Sequence, residues 1–238
     1  MSANSGAAYY DQYWTERDRA RTEARSRRRA ALALDMLGDR RGRLLELGSG
    51  PGWALERFAE AGFEAVGVDV SQTAVDDARQ RGLDVDVVDV DAADLPGHLS
   101  GFDVVVALEV LEHLVDPGAA IDKLLGALCP GGQLVISLPN EWTLPRRIGA
   151  LFGRPGFGGH DDPHLRHFGV QSGRRFLQAA DLRILKSRYD GILPPRWKTL
   201  KAISEPFAMW LPGLFAISCI HLLEPTRQSQ SPETKSND

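Results

Sequence analysis

Cysteine is scarce in this chain. Its 238 residues include two, Cys129 and Cys219, far apart in sequence. No Cys-x-x-Cys pair and no His/Cys cluster with zinc spacing occurs, so neither a disulfide framework nor a structural zinc site is expected. A reducing cytoplasm suits such a chain. A basic surplus is missing too. Lysine and arginine total 28 against 32 aspartates and glutamates, a net charge of −4. That balance excludes general nucleic-acid affinity. The stretch Met1 to Gly6 lacks the basic start and apolar run of a signal peptide. No apolar run is clean enough to cross a bilayer. Phe207 to Leu223 approaches the length, but Pro212-Gly213 interrupts it and His221 lies inside it.

What is present is an apolar fraction of 43% with 25% charged residues, the balance of one large globular domain that needs no covalent staple. Arginine is dense from Asp18 to Arg29, with acidic residues interspersed. Helix propensity continues to Leu37, where Gly38 is a plausible stop. A run this short and mixed reads as a solvated helix face rather than an anion-binding patch. From Arg43 onward strands and helices alternate. Strands are expected at Arg43–Leu47, Glu64–Val68, Val85–Val88, Phe102–Leu108 and Gln133–Leu138. Helices are expected at Trp53–Ala61, Thr73–Arg81 and Ala119–Leu128, with Ser71 as an N-cap. The alternation predicts a doubly wound, Rossmann-like α/β fold whose strand ends share one edge. Phe102–Leu108 is almost wholly apolar and must be buried on both faces. Residues 140–171 hold much Gly, Pro, Arg and His with little periodicity, as a lid or binding loop does. Helix Ser172–Ala180 and strand Arg183–Tyr189 then resume the rhythm, and Ser229 onward reads as a disordered tail.

The sharpest feature is Leu44-Leu45-Glu46-Leu47-Gly48-Ser49-Gly50-Pro51-Gly52, a buried strand ending in a glycine turn. Its pattern is G-x-G-x-G. The dinucleotide fingerprint is G-x-G-x-x-G, whose third glycine packs the helix on the strand; here Trp53 holds that position. Gly48, Gly50 and Gly52 clear space for a ligand, and the following helix offers free amides and a positive dipole end. Asp69 closes the next strand, where a carboxylate accepts from a ribose diol.

Five segments in order resemble class I S-adenosylmethionine (AdoMet)-dependent methyltransferases, in particular the quinone- and methionine-biosynthesis types. They are Leu45–Gly52, Gly67-Val68-Asp69-Val70-Ser71, Asp91-Ala92-Ala93-Asp94-Leu95-Pro96, Phe102 to Leu114, and Leu128-Cys129-Pro130-Gly131-Gly132. The resemblance is strong from Arg43 to Asn140 and weaker to Pro225. It implies a seven-stranded sheet, mostly parallel, with the last strand, Leu214–Leu222, inserted antiparallel. It implies an N-terminal helical arm (residues 1–40) folded over the cofactor, where Tyr9, Tyr10, Tyr13 and Trp14 lie. Ordinary packing of that arm is the equal alternative. A methyltransferase domain would follow over 41–226, with an acceptor-side insertion at about 140–171 and a tail from 227.

The resemblance also implies residue roles. Glu46 and Gly48 would flank the methionine part of AdoMet, and Gly50 and Gly52 would shape the same turn. Asp69 would hold the ribose hydroxyls, with Val70 on the adenine. Asp91 would accept from the adenine amino group beside the Ala92 amide, with Asp89 as the competing carboxylate. Leu108 would present its backbone near the methionine amino group. The implied reaction is in-line methyl transfer to a small molecule, most simply to oxygen, with a quinol, phenol, sugar or lipid-like acceptor. No Asn/Asp-Pro-Pro-Tyr/Phe motif follows strand four, which weighs against amino-directed methylation of DNA bases or protein glutamine. A hydroxyl acceptor gains from a general base. His113, His164 and His167 are the candidates, although a helix-start hydrogen bond also accounts for His113. His160 with Asp161, Asp162 and His164 invites a metal reading, but no metal is expected. A nicotinamide-dependent oxidoreductase is the competing class, disfavoured by the glycine spacing. A methyltransferase peripheral to a membrane, acting on a lipid-linked acceptor through Trp197, Phe207, Met209 and Trp210, is a second alternative. Lys198 and Lys201 lie just upstream of that apolar stretch.

Overall fold

A computed structural model describes residues 4–16, 18–154, 163–191 and 206–226. The elements run α1 (Asn4–Glu16), α2 (Arg19–Leu37), β1 (Gly42–Leu47), α3 (Trp53–Glu60), β2 (Phe63–Asp69), α4 (Gln72–Gln80), β3 (Asp84–Val87) and β4 (Phe102–Leu108). A short 3-10 turn (Leu111–His113) follows, then α5 (Pro117–Ala127), β5 (Leu128–Pro139), α6 (Leu144–Leu151), α7 (Val170–Ala179), β6 (Leu182–Gly191), α8 (Pro212–Phe215) and β7 (Ala216–Pro225). The seven strands form one sheet in the order β3-β2-β1-β4-β5-β7-β6. β1 to β5 are parallel, and β7 runs antiparallel to both β5 and β6. This is the Rossmann-like sheet with the inserted antiparallel last strand that the sequence predicts.

Strand alternation builds two cores, one on each face. In β4, Val104 and Val106 face α2, α3 and α4 through Ala33, Met36, Leu55, Phe58 and Val75. Val105 and Ala107 face the other way, with Ile121 and Leu124 of α5 and Leu177 of α7. Burial on both faces explains why this strand carries no alternation of polar residues. Capping fixes where the helices begin. The Ser71 hydroxyl accepts from the Ala74 amide at 3.2 Å, and Asp116 caps α5 through the Ala119 amide with Pro117 in the first turn. Gly38 ends α2, its amide bonded to the Leu34 carbonyl.

The structure corrects several expectations. The arginines of α2 are not merely a solvated face. Arg28 pairs with Asp190, Arg29 with Glu109, Arg27 with Glu56 and Arg19 with Asp77, so they bolt the arm to the domain. The nominally irregular 140–171 segment contains a two-turn helix, α6. Its short apolar spacing is drowned by flanking Gly and Pro. β5 starts at Leu128, because the Pro-Gly-Gly segment continues the strand with a register shift opposite Phe102 and Val104. The last strand starts at Ala216, since Pro212 starts a helical turn that takes up Leu214. His160, Asp161, Asp162, Trp197, Lys198, Lys201 and the tail from 227 lie outside the described residues.

Candidate active site

In this strand order the connections leave β1 in one direction and β4 in the other, which opens a crevice at their carboxyl ends. Gly48 ends β1 beside Val110, just past β4; a side chain at Gly48 would collide with Val110. Gly48, Gly50 and Gly52 all have positive φ. At Gly50 (φ 53°) an added Cβ would also strike the Trp14 indole. The turn is therefore a backbone cradle that only glycine can form. Trp14 in turn packs edge-on against Trp53, ring centroids 5.9 Å apart. The residue that replaces the third dinucleotide glycine thus anchors the N-terminal arm.

Asp69 is buried at the end of β2. Its carboxylate accepts from the Gly50 amide at 2.8 Å and the Ser71 amide at 2.9 Å. Burial raises its pKa, and these amide bonds oppose the rise. Glu46, one strand over, is also buried, and one carboxylate oxygen has no partner. Burial, then the Asp69 charge, push its pKa well above the carboxylate range. The Ser49 hydroxyl beside them is likewise buried without a partner. Two carboxyl groups and an unpartnered hydroxyl around a glycine cradle suit a ligand carrying positive charge and hydroxyls, as AdoMet does. Val70 follows Asp69 and is half-buried, and Leu108 is half-buried at the end of β4.

The adenine-side residues are arranged differently from the sequence expectation. Asp91 is exposed, and its carboxylate accepts from the Val115 and Asp116 amides, at 3.0 and 3.3 Å. The Ala92 amide donates to the Asp89 carbonyl at 3.2 Å and its carboxylate at 3.3 Å. Asp91 thus ties the end of β3 to the strand-four exit, and Asp89 shapes the turn that carries Ala92.

The histidines converge. The rings of His113 and His164 are 4.8 Å apart, and His167 is 6.5 Å from His164. His113 Nδ1 bonds the Pro163 carbonyl at 3.2 Å, and its backbone amide bonds the Val110 carbonyl. That backbone bond closes the short 3-10 turn, which has no side-chain cap; the His113 ring instead holds the returning segment. His164 Nδ1 lies 2.9 Å from a carboxylate oxygen of Glu141, a buried residue just past β5 that also pairs with Arg146. His167 is exposed. From above, Tyr10 of α1 stands edge-on to His113 at 6.1 Å. Burial, with the charges of its neighbours, raises its pKa. Asp11 of the same helix accepts from the Ser71 hydroxyl and the Thr73 amide, so α1 is tied to α4 across the crevice mouth.

Three carboxyl groups here escaped the sequence reading. Glu112 is fully buried and neither oxygen has a hydrogen-bond partner, although His113 Nε2 lies 3.9 Å from one of them; its pKa is raised well above normal by burial and then by Glu109. Glu109 has φ 58° and accepts from Ser137 and Ser218 hydroxyls and from Arg29 at 3.0 Å. Glu141 is the third. The Glu-x-x-Glu-His run at the strand-four exit was the available signal for the first two. For Glu141, only its place just past a parallel strand could have pointed to the site. One ligand atom each of Glu112, His113 and His164 lies within 4.8 Å of the others, the trio among the described residues that could converge on a cation.

A family model described as a methyltransferase domain matches residues 13–187. The ubiquinone biosynthesis O-methyltransferase of Caulobacter sp. (strain K31) is 36% identical over 114 residues, which is 46% of this chain and 43% of that protein. The chain thus spans under half the length of this curated relative. A Haloferax volcanii chain solved in complex with the Trm112 methyltransferase activator superposes with a TM-score of 0.67 at 18% identity, covering 92% of this chain and 98% of that one. An S-adenosylmethionine-dependent methyltransferase from Mesorhizobium loti gives 0.59 at 19% identity, over 82% of this chain and 97% of that one.

Proposed function

Since the chain belongs to the methyltransferase-domain family, we propose that it is an AdoMet-dependent enzyme that methylates a hydroxyl oxygen of a small molecule. One observation carries the donor assignment: Glu46, buried and short of a partner, sits beside Asp69 at a glycine cradle. A cationic ligand supplies the compensation that the Glu46 carboxyl group lacks. AdoMet brings an activated methyl group on a sulfonium, already a good leaving group. The protein's remaining task is positioning and exclusion of water.

Glu46 and the Gly48–Gly52 turn would hold the methionine end, and the Leu108 backbone would accept from its amino group. Asp69 would accept from the ribose hydroxyls, and Val70 would pack on the adenine. The acidic acceptor for the adenine amino group is Asp91, which would turn from the Val115 and Asp116 amides. Ala92 would release Asp89 to present its amide. Tyr10 and Trp14 close the crevice from the arm side. The acceptor enters beside His113, His164 and His167. His164 takes the hydroxyl proton, because Glu141 orients its ring and stabilises the imidazolium. His113 positions the returning segment that carries His164.

The O-methyltransferase relatives support an oxygen acceptor. Labelled methyl transfer to a panel of quinols, phenols and sugars tests the proposal. His164→Ala is expected to lower kcat by about 10²–10⁴-fold, the usual contribution of a general base, with AdoMet affinity kept. Transfer to an amine but to no hydroxyl would overturn the oxygen assignment.

A further inference from the structure

We propose that the face built by α6 and residues 206–215 docks on an anionic lipid bilayer. Leu144, Ile148, Leu151 and Phe152 fall at i, i+4, i+7 and i+8, one apolar stripe along a helix. Such a stripe normally turns into a core, yet α6 buries none of its residues. Leu151 is 83% exposed and Phe152 77%. The neighbouring α8 buries none either, and just before it Met209, Trp210 and Leu211 are exposed, Trp210 at 83%.

Buried anchors and hydrogen bonds fasten the two segments to the domain and to each other. Ala208 and Ala216 are fully buried anchors. The Phe207 ring packs on Phe215 at 5.7 Å. Arg147 donates to the Trp142 carbonyl at 2.6 Å and the Gly213 carbonyl at 3.4 Å, which links α6 to α8. Asn140 ties the end of β5 to the Ala216 carbonyl at 2.9 Å.

Charge selects the partner. Residues 142–154 carry Arg146, Arg147 and Arg154 and no acidic residue, and residues 206–216 carry no charge, in a chain whose net charge is −4. Arg146 also pairs with Glu141; Arg147 and Arg154 add positive charge outside that pair. A two-fold contact with a second copy would bring two faces of the same positive sign together. Exposed Leu, Phe and Trp flanked by arginine match the acyl boundary and headgroup layer of an anionic membrane. The face begins one residue after Glu141, so docking would place the acceptor side of the crevice next to the bilayer. The docking itself does not depend on the methyl-transfer reading.

Co-flotation of the full chain with vesicles tests this. The expected result is flotation with phosphatidylcholine vesicles containing phosphatidylglycerol, little with phosphatidylcholine alone, and loss at high salt. Leu151→Glu/Phe152→Glu and, separately, Trp210→Glu should each lower the bound fraction by about tenfold. Their thermal melting should match the parent, because these side chains are already in water. Failure of the parent chain to float with anionic vesicles would overturn the proposal, as would flotation unaffected by the substitutions. A dimer in sedimentation equilibrium that Leu151→Glu/Phe152→Glu dissolves, without vesicle binding, would assign the face to self-association instead.

Discussion

Burial raises the pKa of the Glu46 and Glu112 carboxyl groups well above the ordinary glutamate range, and each shift predicts a pH dependence of its own. A cationic ligand favours ionised Glu46, so AdoMet affinity should rise with pH, by up to about tenfold per unit while the group remains protonated in the free protein. S-adenosylhomocysteine lacks the sulfonium charge and should show a shallower rise. Calorimetry across pH 6 to about 9 checks this, and Glu46→Gln should flatten the AdoMet curve; an equally steep curve in that variant would contradict the role given to Glu46. For Glu112 the linkage acts on stability. Its folded pKa lies above its unfolded one, so the folded state keeps a proton that the unfolded chain has lost. Stability from this group is fully present below the ordinary glutamate range and declines as pH rises through the raised pKa, by at most about 1.4 kcal/mol per unit. Glu112→Gln should therefore melt higher than the parent at pH 8 and converge with it near pH 4. Neither shift was legible from sequence. Glu-His-Leu gives no sign of burial in the sequence; the backbone bonds from Leu165 and Arg166 to the Glu112 carbonyl, with the His113 ring on the Pro163 carbonyl, bring the covering segment over it.

Among the elements, α1 has the most to do with access. Asp11 fastens it to the amino end of α4, and Trp14 and Tyr10 face the glycine turn and His113. Asp11→Ala removes the acceptor for the Ser71 hydroxyl and the Thr73 amide, at a cost of about 1–2 kcal/mol in the closed arrangement. The expected outcome is faster S-adenosylhomocysteine release in stopped-flow tryptophan fluorescence, with melting little changed. An unaltered release rate would mean that the arm packs without gating. The sequence placed four aromatics here but left their role open, because an N-terminal helix rich in tyrosine fits either packing or covering. β4 was legible for the opposite reason: an unbroken apolar run has few alternatives to a central strand. α6 was missed, since eight residues between glycines and prolines give too short a period to read.

At the scale of the molecule, the strand order places every carboxyl-terminal strand end of the parallel half on one edge. That geometry was readable from strand–helix alternation and the glycine turn, because both are local patterns with strong backbone consequences. The acceptor side was not, because Glu141, His164 and His113 meet only through folding and share no sequence period. The central claim is that the glycine turn with Asp69 and Glu46 holds AdoMet. Its most direct test is calorimetric titration of the parent chain and Asp69→Ala with S-adenosylhomocysteine and with NAD. The account predicts binding of S-adenosylhomocysteine by the parent, none of NAD, and a loss of about 1–3 kcal/mol in the variant, the cost of removing a charge-assisted acceptor. Tight NAD binding with no S-adenosylhomocysteine response, or an affinity untouched by Asp69→Ala, would contradict it.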